Sequence, residues 1–128
     1  MYVRTWQNMS IIGFDYISKH TNFNFALGAF LDEFRRAKDK SVMISTPPPT
    51  EGLTMRQRCI LAAVSHKLAN DNALEVPTWV HEPDFKMPNP VFAFDTKNRE
   101  YQALLLQDTP YEFASKNIYH GANTINRV

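Results

Sequence analysis

The sequence predicts a mainly α fold: a compact bundle of four to five helices, its core wrapped by a long, ordered loop rich in proline and aromatic residues. Three observations carry this. A capping box followed by a strongly apolar run marks a helix over residues 54–72. A phenylalanine stripe at helical period runs between Asn22 and Lys38. Between residues 73 and 94, four prolines stand among many large apolar side chains, which forbids a long helix and disfavours disorder.

The helix over 54–72 is the expected centre of the core. Thr54 precedes Gln57 by three residues, so the Thr54 hydroxyl can accept from the Gln57 N–H while the Gln57 side chain accepts from the Thr54 N–H. Ile60, Leu61, Val64 and Leu68 share one face. Ala62, Ala63 and Ala69 let a neighbouring element approach closely, and Asn70, Asp71 and Asn72 form a polar stop.

Before it, residues 1–21 hold Ile11, Ile12, Phe14, Tyr16 and Ile17 around Gly13, and read as either a short helix or an extended arm. Tyr2, Val3 and Trp6 belong to that arm, covering the core or touching a partner. Asn22 caps the next helix, which runs to about Lys38. Phe23, Ala26, Leu27, Phe30, Leu31 and Phe34 form its apolar face, with Asp32, Glu33, Arg35 and Arg36 opposite; Phe25 and Ala29 fall off the stripe. Pro47, Pro48 and Pro49 stiffen the connector to the central helix, and Val42, Met43 and Ile44 tuck an apolar knot onto the core.

After it, the loop over 73–94 contains Leu74, Val76, Trp79, Val80, Phe85, Phe92 and Phe94, with one helical turn expected around 78–80. It either wraps the helices or binds a partner. Asp95 or Thr96 is the expected cap of a helix to about Gln107, burying Tyr101, Leu104, Leu105 and Leu106. Thr109, Pro110, Tyr111 and Glu112 read as a second capping box opening a short helix to about Ser115. Ile118 and Tyr119 read as extended, and Gly121 as a turn. Residues 54–72 and 73–107 do not form a helix-turn-helix, since that motif needs a turn of about three or four residues and the gap here is a long one with four prolines.

At 128 residues, with 44% hydrophobic and 21% charged, the chain is expected to form one domain over 1–128. Residues 1–52 carry six Lys/Arg against five Asp/Glu, and residues 53–128 eight against eight, so neither half is the basic face that phosphate binding demands. Arg35, Arg36 and Lys38 form the one short basic cluster, readable as a solvated helix end or as a nucleic-acid contact. Cys59 is the single cysteine, which excludes an internal disulfide, and its place in the apolar run makes it a buried thiol. No apolar run reaches the length of a membrane span, and the N-terminal residues do not read as a secretory signal, so the expected compartment is cytoplasmic.

Specific catalytic patterns are missing. The four glycines are isolated, and no pair of His20, His66, His81 and His120 has zinc-motif spacing, so no metal or cofactor is expected. Cys59 and His66 lie two helical turns apart, too far to share one metal. His81, Glu82 and Asp84 cluster acid and imidazole in the long loop and are the residues on which a small enzyme would draw.

Several segments, taken in order, resemble small bacterial proteins of antitoxin or regulator type, which occur alone or behind a helix-turn-helix domain, beside a toxin partner. The residues are Phe30 to Phe34, Leu61 to Val64 with His66 to Ala69, Val76 to Val80, Tyr101 to Leu106, Thr109 to Phe113, Lys116 to Tyr119 and Ile125 to Val128. The resemblance covers residues 27–128 and carries over no catalytic residue. It implies a protein-interaction module, the antitoxin or regulatory component of a two-gene pair, with a toxin encoded nearby as partner. Without a helix-turn-helix in front, DNA contact would come through a complex. The expected partner surface is Trp79, His81, Phe85, Phe92, Phe94 and Tyr119, with a homo-oligomer left open. The alternatives are the small enzyme and a DNA-associated regulator using Arg35, Arg36 and Lys38.

Overall fold

A computed structural model describes residues 13–121. Six α-helices lie among them: α1 (Phe14–Lys19), α2 (Phe23–Arg36), α3 (Lys40–Ile44), α4 (Met55–Asp71), α5 (Arg99–Asp108) and α6 (Tyr111–Ala114). Three 3-10 turns, Thr78–His81, Pro83–Phe85 and Ala93–Asp95, and two short strands, β1 (Val91–Phe92) and β2 (Ile118–Tyr119), complete the set. The fold is mainly α. No described helix is long and apolar enough to cross a membrane. The expectations for Tyr2, Val3, Trp6, Ile11, Ile12 and the last residues of the chain fall outside the described part.

α4 forms as its sequence dictates. Gln57 N–H donates to Thr54 Oγ1 at 3.1 Å and Thr54 N–H to Gln57 Oε1 at 3.0 Å, closing the capping box. Every residue from Cys59 to His66 is buried, together with Leu68 and Ala69. A helix buried on all sides is a core helix and not a surface one. It packs against α6 and the first two 3-10 turns. α2 buries Ala26, Leu27, Phe30, Leu31 and Phe34, and Asn22 Oδ1 accepts from Phe25 N–H at 3.0 Å. Phe25, off the stripe, is exposed. α1 takes the helical alternative and buries Phe14 and Ile17, with Phe14 stacked on Phe30 at 5.1 Å and edge-on to Trp79 at 5.9 Å.

The long loop sends three of its large side chains into the core. Trp79, Val80 and Phe85 are buried, and Trp79 Nε1–H donates to the Ile44 carbonyl at 2.9 Å, pinning the loop to α3. This corrects the expected partner surface at two positions. Trp79 and Phe85 meet edge-on at 5.1 Å inside the protein, and with its one polar atom satisfied the indole has no reason to face outward. The loop ends in β1, which pairs in parallel with β2 in the register Val91 to Ile118 and Phe92 to Tyr119. β1 is an element that the sequence pattern does not announce.

The C-terminal helices depart most from expectation. α5 is capped by Asn98, whose Oδ1 accepts from Tyr101 N–H at 2.9 Å. Asp95 is drawn away by Arg56, and Thr96 Oγ1 accepts from Asn98 N–H. Of the expected core residues of α5 only Leu105 is buried; Tyr101, Leu104 and Leu106 are exposed. Successive helical residues lie about 100° apart, so a helix docked by one narrow face buries one of three consecutive leucines. The second capping box does not form. Thr109 Oγ1 accepts instead from Gly121 N–H at 3.0 Å, and Glu112 accepts from Asn70 Nδ2 at 2.7 Å.

Candidate functional site

Two features stand out, and both lie on the C-terminal half. The first is a set of displayed apolar side chains. Five of the eight large hydrophobic residues exposed among the described residues fall between 94 and 111: Phe94, Tyr101, Leu104, Leu106 and Tyr111. Phe94 is the most exposed, at 90%. Its backbone is left-handed, φ 57° and ψ 18°, and Asp95 follows at φ 50°. Positive φ in a bulky residue is an outlier that costs about 1–3 kcal/mol and marks functional segments.

Arg56 of α4 holds this turn. Its guanidinium pairs with Asp95 Oδ1 at 2.9 Å, donates to the Phe92 carbonyl at 3.4 Å and meets His120 Nε2 at 3.1 Å. Burial lowers the His120 pKa, and Arg56 lowers it further, against the pull of Asp95. Below the turn, Gln102 Nε2 donates to the Thr96 carbonyl at 2.9 Å, which ties α5 to the Phe94 segment. From Tyr101 to Gln107 α5 carries no charge, and Tyr101 and Leu104 lie one turn apart on the same flank.

The second feature is a polar cleft of about 290 Å³ bounded by α4, the first two 3-10 turns and α6. His66, His81, Lys86, Tyr111, Ser115 and Lys116 line it, with Glu82 as its one carboxylate. The His66 and His81 rings meet edge-on at 5.2 Å, and Tyr111 lies edge-on to His66 at 6.2 Å. His66 is buried and its Nδ1 has no hydrogen-bond partner. Burial pulls its pKa down, His81 and Lys116 add to this, and Glu112 opposes. Lys116 is only 4% exposed, with Nζ donating to the Val80 carbonyl. Burial lowers the Lys116 pKa as well. Beside it, burial pushes the Cys59 thiol up, the opposite of what a nucleophile needs.

Of the residues expected to meet a partner, Phe94 alone is fully displayed. Phe92 and Tyr119 are half-buried and stack on each other at 5.5 Å across the strand pair, so much of each ring is spent on the other. His81 is exposed and faces the cleft, while Trp79 and Phe85 are core. Glu82 joins His81 at the cleft, but Asp84 does not line it. Arg35 and Arg36 pair one turn back with Asp32 at 3.6 Å and Glu33 at 3.0 Å, so the basic cluster is largely neutralised. No group of three or more His, Cys, Asp or Glu among the described residues is placed to hold a metal.

Arg56, His66, Lys116 and His120 were missed as site residues. Arg56 is 39 positions from Asp95, and Lys116 is 36 from Val80, so no local spacing could have joined them. No protein-family model, curated protein or solved structure matches the chain.

Proposed function

We propose that the chain is a protein-interaction module whose contact surface is the Phe94 turn and the Tyr101–Leu104 flank of α5, and not the interior of the long loop. One observation carries the reading: α5 buries Leu105 alone and presents uncharged apolar side chains to solvent. Interface centres are depleted of charge and rich in aromatic residues, and the strained, outward Phe94 is an anchor of that kind. The occupant is a single partner protein with an apolar groove. The resemblance to antitoxin or regulator proteins makes the product of a neighbouring gene its first candidate.

The test is co-expression with that neighbouring product, followed by purification through a tag on this chain. Recovery of the pair, lost on Leu104→Glu and weakened on Phe94→Ala, is the expected result. If the neighbour does not co-purify and is harmless when expressed alone, the reading falls. A second copy of this chain is the competing occupant. A dimer of the purified chain, broken by Leu104→Glu, would replace the hetero-complex reading.

A further inference from the structure

The cleft beside Tyr111 poses a separate problem of charge. Lys116 is buried, yet no carboxylate among the described residues forms an ion pair with it. Its contact is the Val80 carbonyl, which uses one of the three donors of an ammonium. An ammonium held out of water without a counter-charge is costly and calls for an anion. Lys86, His66 and His81 line the same wall, with Glu82 as its one carboxylate. Glu112, the other nearby carboxylate, is engaged by Asn70. His66 adds an unpaired ring nitrogen in a side chain that is itself 8% exposed. The opening is about 290 Å³, near the lower end of ligand-sized clefts.

We propose that this cleft binds a small oxyanion, a phosphate or carboxylate group, with Lys116 and Lys86 as its counter-charges and the His66–His81 pair as further donors. Lys116 supplies a desolvated amine whose charged form a bound anion would favour. Lys86, being exposed, closes on the ligand from the rim. Tyr111, 72% exposed with its ring against His66, stands at the mouth, where it can cover the bound group. The site does not depend on the apolar surface of the partner reading, and either can fail alone.

The experiment is a titration of the full chain with inorganic phosphate, and separately with acetate, each against chloride at matched ionic strength. Histidine ring-proton NMR signals and the melting temperature are followed. Saturable movement of the His66 and His81 signals, with a rise in melting temperature, is expected for at least one of the two anions. Response to phosphate alone names a phosphate ligand, and response to acetate alone names a carboxylate. Lys86→Met, at an exposed position that should not affect folding, should weaken binding about tenfold, the order expected for one charge-assisted contact. Lys116→Met should abolish it, and Leu104→Glu should leave it unchanged. If neither anion moves the histidine signals beyond chloride, or if Lys86→Met binds as tightly as the native chain, the proposal is overturned.

Discussion

Replacing Phe94 by glycine should make the protein more stable, although it removes a large hydrophobic side chain. At φ 57° the phenylalanine β-carbon is crowded against its own backbone, which costs about 1–2 kcal/mol relative to a right-handed residue. Glycine relieves this and gives back about 0.5–1 kcal/mol as greater freedom of the unfolded chain. The ring is 90% exposed, so its loss sacrifices little packing. The net gain is about 0.5–1 kcal/mol. Phe94→Ala is the matched control: it removes the ring but keeps the β-carbon at positive φ, and should stay within about 0.5 kcal/mol of the native chain. Urea unfolding reads both, and with slopes of about 1–3 kcal/mol per molar the glycine variant's midpoint should rise by a few tenths of a molar. The slope itself should not change. If Phe94→Gly is less stable than Phe94→Ala, the turn is not strained, and the argument that it is maintained for display fails. The same variant should bind the partner more weakly, which would place Phe94 where stability is given up for contact.

Other outcomes can be measured directly. Thr54→Ala removes the side-chain half of the capping box, the hydroxyl that accepts from Gln57 N–H, and should cost about 1 kcal/mol in a denaturant melt. Arg56→Met strips the turn of its contacts to Asp95, Phe92 and His120; because the ion pair is largely exposed, the loss should be only about 1–2 kcal/mol. Leu104→Glu should change stability by less than about 0.5 kcal/mol while abolishing partner recovery; a large loss of stability would show that Leu104 belongs to the core. Stability should also fall with acid. His66 and His120 have folded pKa values below the unfolded value of about 6.5, so in that window the unfolded chain binds more protons. Their contribution is complete above about pH 6.5 and is lost as pH falls through the folded values. His120→Gln should flatten the profile, and a stability that rises from pH 7 to pH 5.5 would contradict the assignment.

Much of the helical framework was legible because its signals are local. The Thr54 capping box and the phenylalanine stripe of α2 depend on residues three or four apart, within reach of a sequence pattern. The site was less legible. Phe94 was identified among the aromatic residues of the loop, but nothing in its sequence separates it from Trp79 and Phe85, which the same loop turns inward. The difference lies in what each ring meets. Trp79 finds the Ile44 carbonyl and Phe14, while Phe94 sits on a left-handed turn that aims it away.

By itself, the sequence determined that the chain is mainly α, where its central helix begins and stops, that Cys59 lies in the core, and that the prolines interrupt the segment after α4. These follow from backbone chemistry and hydrophobic period, which act over a few residues. Tertiary structure alone decided which aromatic residues face out, which of the three leucines of α5 is buried, and that Lys116 comes to rest beside His66 in one cleft, in no ion pair among the described residues. These depend on contacts between residues tens of positions apart, where packing and unpaired charge, and not local propensity, set the outcome.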